Sequence, residues 1–255
     1  SDEILGEVQR LVDDGYRSIT LLGQNVNSYG RDRPDREPSF AELLDSIGRI
    51  GEAADHRFRV YFTSPHPRDM RPEVVETIAR YPVLAKQIHL PLQSGDDEVL
   101  LRMNRSYDLA RYREVVESIR EIIPPATLFT DIIVGFPGET EEQFERTRSA
   151  MREFAYNMAY IAVYSPRPGA RSFRWRDDVP HDEKKRRLHE LSNELKELSR
   201  RYNDSLVGTV QTVLVQGRDR DARYLSGRNE GKIIVRFASD DDSLIGRFVP
   251  VRISR

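Results

Sequence analysis

Along the first 164 residues the apolar positions switch repeatedly between helical spacing and short continuous runs of strand character. Ile4, Val8, Leu11 and Val12 share one helical face, which Gly15 ends. Ser18 to Leu22 reads as a strand closed by Gly23-Gln-Asn-Val26, and a polar, Arg- and Asp-rich loop runs on to Pro38. Ser39 and Glu42 form a capping box that opens a helix. Arg57 to Thr63 is the next strand, turned by Ser64-Pro-His-Pro67, and Pro72 opens a helix where its missing N–H costs nothing. Gln87 to Pro91 is a third strand, running into Gln93-Ser-Gly95. Helices near 96–103 and 108–122 follow, until Pro124-Pro125 breaks the pattern. The run Ile132 to Val134, led by Asp131, then breaks on Gly135-Phe-Pro-Gly138 and restarts as a helix at Thr140, boxed with Gln143. A fifth strand covers Met158–Val163 and ends in Ser165-Pro-Arg-Pro168.

Five alternations at this spacing predict an α/β fold with parallel pairing and right-handed crossovers, a partial (β/α) barrel over residues 1–179. Polar residues gather just after the strand ends, and in a barrel those loops meet on one face. The Gly135–Gly138 turn matches neither a Walker loop nor a dinucleotide fingerprint. Taken alone it is more often just a plain βα connection; the convergence of loops carries more weight.

After Val179-Pro180 the pattern changes. Residues 180–206 predict one connecting helix, whose leucines at 188, 191, 195 and 198 form a stripe for packing on the main body. Residues 207–255 turn to short strands, Thr209–Gln216, Tyr224–Gly227, Lys232–Phe237 and Phe248–Ile253, and predict a small barrel of nucleic-acid-binding type. Residues 206–255 hold nine Lys/Arg against six Asp/Glu, an excess compatible with RNA.

Composition narrows the chemistry. With 38% hydrophobic and 32% charged residues the chain is globular, and its net charge of −2 names no partner class. It has no apolar run of membrane-spanning length and no signal-peptide pattern. A cytoplasmic protein and a monomer are the expectations. There are no cysteines, which excludes disulfides, a thiolate nucleophile and cysteine metal ligands within these residues. The five histidines show no metal-site spacing.

Five stretches in order resemble the motifs of the radical S-adenosylmethionine (SAM) methylthiotransferases: Leu22-Gly-Gln-Asn-Val-Asn-Ser-Tyr29, His89-Leu-Pro-Leu-Gln-Ser-Gly95, Met103-Asn-Arg105, Asp131 to Glu139, and Tyr164-Ser-Pro-Arg-Pro-Gly169. The C-terminal segment resembles the family's RNA-binding TRAM domain. Gly23-Gln-Asn-Val-Asn27 and Leu225-Ser-Gly-Arg228 look like the tRNA-modifying branch, which methylthiolates isopentenyl-adenosine beside the anticodon. The branch that modifies a ribosomal protein, and a cysteine-free RNA-binding protein without catalysis, are the alternatives. The family carries two 4Fe–4S clusters, one on a Cys-x-x-x-Cys-x-x-Cys loop after the first barrel strand and one on an N-terminal domain. Neither set of cysteines occurs here, so the expectation is a truncated chain, lacking the first strand, that supplies no catalytic residue and is inactive alone.

The resemblance also implies roles. SAM would be held by Asp131 on the ribose diol, Arg105 on the methionyl carboxylate, and Gln93 and Ser94 through amide and hydroxyl contacts. The backbone from Val134 through Gly135 and Phe136 to Gly138 would meet the adenine edge, and Gly23, Gln24 and Asn25 the methionyl amine. For an anticodon stem-loop the candidates are Arg167, Arg171, Arg174 and Trp175, with Arg218, Arg220, Arg223, Arg228 and Lys232 in the β segment. Asp177 and Asp178 adjoin the first group and oppose its charge; a plain solvated loop is the other reading there.

Overall fold

The computed structural model describes residues 1–254 and divides into two compact units. One takes Ser1–Ile88, Ser118–Thr127 and the segment from Asp204 on; the other takes His89–Glu117 and Leu128–Asn203.

In the first unit, α1 (Asp2–Asp13) leads to β1 (Ser18–Leu21), which pairs in parallel with β2 (Arg59–Phe62), Ile19 opposite Val60. Between them lies α2 (Phe40–Ala53), opened by the expected Ser39–Glu42 capping box and burying Phe40, Leu43, Leu44 and Ile47. Helix α3 (Pro72–Arg80) starts at Pro72 and buries Val74, Val75 and Ile78. The two helices approach closely because position 48 is glycine: a Cβ there would stand 2.3 Å from the Tyr81 ring.

Next along the chain come β3 (Gln87–His89), α4 (Asp97–Arg102), α5 (Leu109–Ile122), β4 (Thr127–Val134), α6 (Glu141–Phe154) and β5 (Met158–Val163). The three strands form one sheet in chain order, with β4 and β5 parallel and Asp131 opposite Tyr160. Helix α7 (His181–Ser205) follows as one continuous element. In the second unit, Tyr112, Phe144, Phe154 and Tyr156 are fully buried. The two tyrosine hydroxyls are satisfied, since Tyr156 donates to Tyr112 over 2.8 Å and Tyr112 donates to the Leu90 carbonyl over 2.7 Å.

Strand β4 starts five residues before the apolar run that announced it. Two threonines hid it, because both are buried and hydrogen-bonded: the Thr130 hydroxyl accepts from Leu92 N–H at 2.9 Å, and Thr127 donates to the Gly231 carbonyl at 2.7 Å. Asp131 therefore lies inside the strand, not at its leading end.

The last segment forms β6 (Val210–Arg218), β7 (Tyr224–Arg228), β8 (Ile234–Ala238) and β9 (Phe248–Arg252), an antiparallel sheet in the order β8-β7-β6-β9. A register shift between Val215 and Gly217 bends β6 and curls the sheet. Within this unit Arg59 of β2 is only 2% exposed, and its hydrogen bonds run to backbone carbonyls. It donates to the carbonyls of Arg228 (3.1 Å) and Thr212 (3.3 Å), with its guanidinium 5.1 Å from the Phe248 ring centre.

Candidate functional site

The loops after successive strands turn through left-handed residues. Asn25 (φ 51°) follows β1, Ser64 (φ 55°) follows β2, Gln93 (φ 70°) follows β3 and Gly135 (φ 70°) follows β4. Three of the four are not glycine: asparagine tolerates the conformation at position 25, while Ser64 and Gln93 hold it at a cost of about 1–3 kcal/mol. Such outliers cluster where a loop must present particular atoms.

In the second unit, Asp131 is the half-exposed carboxylate of the sheet. Its Oδ1 lies 3.2 Å from Nε2 of His89, and the Tyr160 ring centre is 6.0 Å from that of His89. Gln93 is 7% exposed and bridges to Ile132, its carbonyl accepting from Ile133 N–H at 3.0 Å.

Ser94 is fully buried, with its hydroxyl 3.3 Å from that of Thr147 and accepting from Asp96 N–H. Gly95 is pressed against α6, where a Cβ would stand 2.4 Å from Thr147 Cα. Ser94 and Gly95 thus seat α4 on α6, and Asp96 caps α4 while accepting from Arg146 at 2.6 Å.

Arg105 owes its place to the end of α4. Asn104 N–H donates to the Leu101 carbonyl and Arg105 N–H to the Leu100 carbonyl, both at 2.9 Å, which makes a Schellman motif. The motif needs a left-handed residue at position 104, where φ is 58°, and asparagine tolerates it. Arg105 Nε is buried with no hydrogen-bond partner among the described residues. A cleft of ≈ 770 Å³ opens beside it, lined by Met103, Ile133, Phe136, Arg167, Arg171 and Trp175 among others.

The Gly135–Gly138 turn is held from within. Gly135 N–H donates to Glu139 Oε2 at 2.6 Å, and Gly138 N–H to Asp178 Oδ1 at 2.7 Å. Arg187 of α7 donates to the same Glu139 oxygen at 2.7 Å, and Lys184 fills the space a Cβ at Gly135 would need. Two of the N–H groups expected to face a ligand are therefore already bonded. Phe136 packs edge-on against Tyr164 and Trp175 and presents its ring to the cleft. Sequence reasoning gave no part to Glu139, Lys184 or Arg187. Glu139 stood within a quoted motif, whereas the two cations sit in a helix read only for its leucine stripe.

In the first unit Gly23, Gln24 and Asn25 are exposed after β1. Asn27 fixes this loop: its side chain donates to the His66 carbonyl at 2.9 Å and accepts from His66 N–H at 2.7 Å. Among the described residues, Arg167, Arg171, Arg174 and Arg220 are exposed and carry no ion pair. The Tyr164 hydroxyl anchors the first three by donating to the Ser172 carbonyl at 3.0 Å. Arg218 differs, since it donates to the carbonyls of Ala222, Ser239 and Asp240 and pairs with Asp242. Arg223 pairs with Asp221 at 2.6 Å. Arg228 and Lys232 are half-buried, and Lys232 stands 4.9 Å over the Tyr61 ring.

The family model described as the Radical SAM superfamily matches residues 1–151, and the TRAM domain model matches residues 204–255. The chain belongs to the radical SAM superfamily. It is similar to tRNA-2-methylthio-N(6)-dimethylallyladenosine synthases: 44% identical to that of Clostridium botulinum over 99% of this chain and 55% of the relative. For the Pelobacter propionicus protein the values are 45%, 99% and 56%. The chain thus spans a little over half the length of these relatives. Among solved structures it resembles coproporphyrinogen III oxidase from Escherichia coli, a radical SAM enzyme, with TM-score 0.54 and 12% identity over 94% of this chain and 75% of that one. At that identity the likeness concerns the fold.

SAM chemistry fits what the second unit offers: a half-exposed carboxylate and a buried guanidinium N–H without a hydrogen-bond partner among the described residues. A 4Fe–4S cluster does not fit these 255 residues, which contain no thiolate donor. No group of His, Asp or Glu among the described residues is placed to hold a metal. No described helix is long and apolar enough to cross a membrane.

Proposed function

We propose that the protein containing this chain is a tRNA methylthiotransferase. It adds a methylthio group to N6-dimethylallyladenosine beside the anticodon, using SAM and two 4Fe–4S clusters held by cysteines outside these residues. The observation that carries the reading is 44–45% identity, across 99% of the chain, to proteins named for that product. The terminal TRAM domain supports an RNA substrate.

Asp131 and Arg105 hold SAM in this reading, one by accepting from hydroxyls and the other by donating to a carboxylate. Gln93 presents its amide from the strained loop, and Phe136 offers a ring face. Ser94 and the Gly135–Gly138 backbone act by shaping the site. Gly23, Gln24 and Asn25 stay candidates on the residue match alone. Arg167, Arg171, Arg174, Trp175 and Arg220 contact the tRNA, and the protein works as a cytoplasmic monomer. The domain division follows the sequence, with a barrel segment to 179, a connecting helix to 206 and the TRAM domain beyond.

The test is genetic. The full-length gene is expressed in a bacterium that accumulates dimethylallyladenosine because it lacks methylthiolation, and its tRNA nucleosides are separated by mass spectrometry. The methylthio nucleoside should appear. If dimethylallyladenosine persists unchanged while the protein is present and cluster-loaded, the reading falls.

A further inference from the structure

His89, Asp131 and Tyr160 lie on three adjacent strands of one sheet. In β4 the side chains alternate: Thr130, Ile132 and Val134 are fully buried, while Asp131 and Ile133 are partly exposed on the opposite face. Tyr160, paired opposite Asp131, is 56% exposed on β5. His89 ends β3 with its ring toward both of them. Its Nε2 is buried and lies 3.2 Å from Asp131 Oδ1, yet the two make no hydrogen bond in this orientation and no other partner replaces it among the described residues. A buried polar atom without a partner is uncommon and calls for an explanation. Here a small ring rotation would supply one.

From this geometry we propose that His89 is a positioning residue for Asp131. The inference rests on the reading of Asp131 as the carboxylate that holds the ribose diol of SAM. A lone carboxylate on an open sheet face has two equivalent oxygens and a free χ2 rotation. With Nε2–H bonded to Oδ1 the rotation stops, and Oδ2 is turned to the ligand. Two hydroxyls of a diol then meet an acceptor fixed in advance, and less freedom is lost on binding. His89 touches Asp131 and not the ligand, so its effect exists only while the carboxylate is there. Tyr160 closes the outer side of the imidazole and limits its swing.

That dependence sets the experiment. SAM binding is measured by calorimetry on the full-length, cluster-loaded protein in five forms: wild type, Asp131→Asn, His89→Ala, His89→Gln and the Asp131→Asn/His89→Ala double variant. Thermal melting of each form is followed alongside. Asp131→Asn should weaken SAM about tenfold, and His89→Ala about fivefold. In the Asp131→Asn background, His89→Ala should change affinity less than about twofold. His89→Gln, whose amide reaches the position of Nε2, should recover most of the loss, and it also covers the case in which the alanine variant does not fold. Equal losses from His89→Ala in both backgrounds would overturn the positioning role, as would a glutamine variant no better than alanine. Unchanged affinity in Asp131→Asn would instead remove the ligand reading beneath it.

Discussion

Arg187 and Glu139 meet where neither side chain reaches water: Nη1 donates to Oε2 over 2.7 Å, and the side chains are 5% and 1% exposed. Burial pushes the Glu139 carboxyl up, against the pull of the Gly135 N–H and the Arg187 guanidinium. Arg187 also donates to Glu183 at 2.7 Å and to the Glu139 carbonyl at 3.0 Å. Removing one partner leaves a buried charge alone. Arg187→Met should therefore lower unfolding free energy by about 3–5 kcal/mol, read from urea denaturation. A loss under about 1 kcal/mol would show that the turn stands without α7.

At position 104 the backbone needs φ > 0, and the side chain matters less. Asn104→Gly should be neutral within about 0.5 kcal/mol, whereas Asn104→Val should cost about 1–2 kcal/mol and loosen Arg105. Stability measurements and SAM titration of the full-length protein check both. Equal behaviour of the two variants would contradict the Schellman account.

Glu183 is held down to about 2 by hydrogen bonds from Arg186, against opposing burial, with Arg187 adding to the pull. A carboxyl depressed in the folded state adds stability above its unfolded pKa, and that stability is lost as pH falls through the folded value. The window runs from the ordinary value of 4.5 down to about 2. Urea midpoints should fall as the pH is lowered through that window, and less steeply in Glu183→Gln. Parallel profiles for the two proteins would remove Glu183 from the acid response.

The arginine candidates separate into two kinds. Arg167, Arg171 and Arg174 are unpaired among the described residues, whereas Arg218 ties together three carbonyls. Changing the three to glutamine should reduce the salt slope of stem-loop binding by about 0.7–0.9 for each phosphate no longer neutralised. Arg218→Gln should lower stability and leave that slope nearly unchanged. Filter-binding titrations across a salt series decide between them. Deleting residues 206–255 is a poorer test, because it would uncover Arg59 and strip away both carbonyls that satisfy it.

Much of this was legible in the sequence, for physical reasons. Capping boxes at Ser39 and Thr140, Pro72 at a helix start and the run Met158–Val163 all state their local structure directly, and each element lies where the pattern put it. The start of β4 was not legible, because Thr127 and Thr130 count as polar in a pattern and are buried in fact. Chemistry was harder to read than fold. Ser94 and Arg105 looked alike as polar loop residues, but one hydroxyl is bonded inside and one guanidinium nitrogen is left over. Nor could any spacing rule join Arg187 to Glu139, which are 48 residues apart. Such pairs depend on tertiary packing.

The left-handed residues after β1, β2 and β3 have a consequence for how the protein comes apart. Ser64 and Gln93 store local steric energy that is released when their loops open, at Gln93 together with its hydrogen bonds to Asp131 and Ile133, whereas asparagine tolerates the conformation at position 25. Amide hydrogen exchange should therefore begin at the Ser64 corner while Val60 stays protected, and reach Gln93 only with the β4 bonds it makes. Glycine at position 64 or 93 would erase that local spring and slow the opening of its loop. The corner after β2 is thus where opening should start, with β2 behind it as the fixed frame.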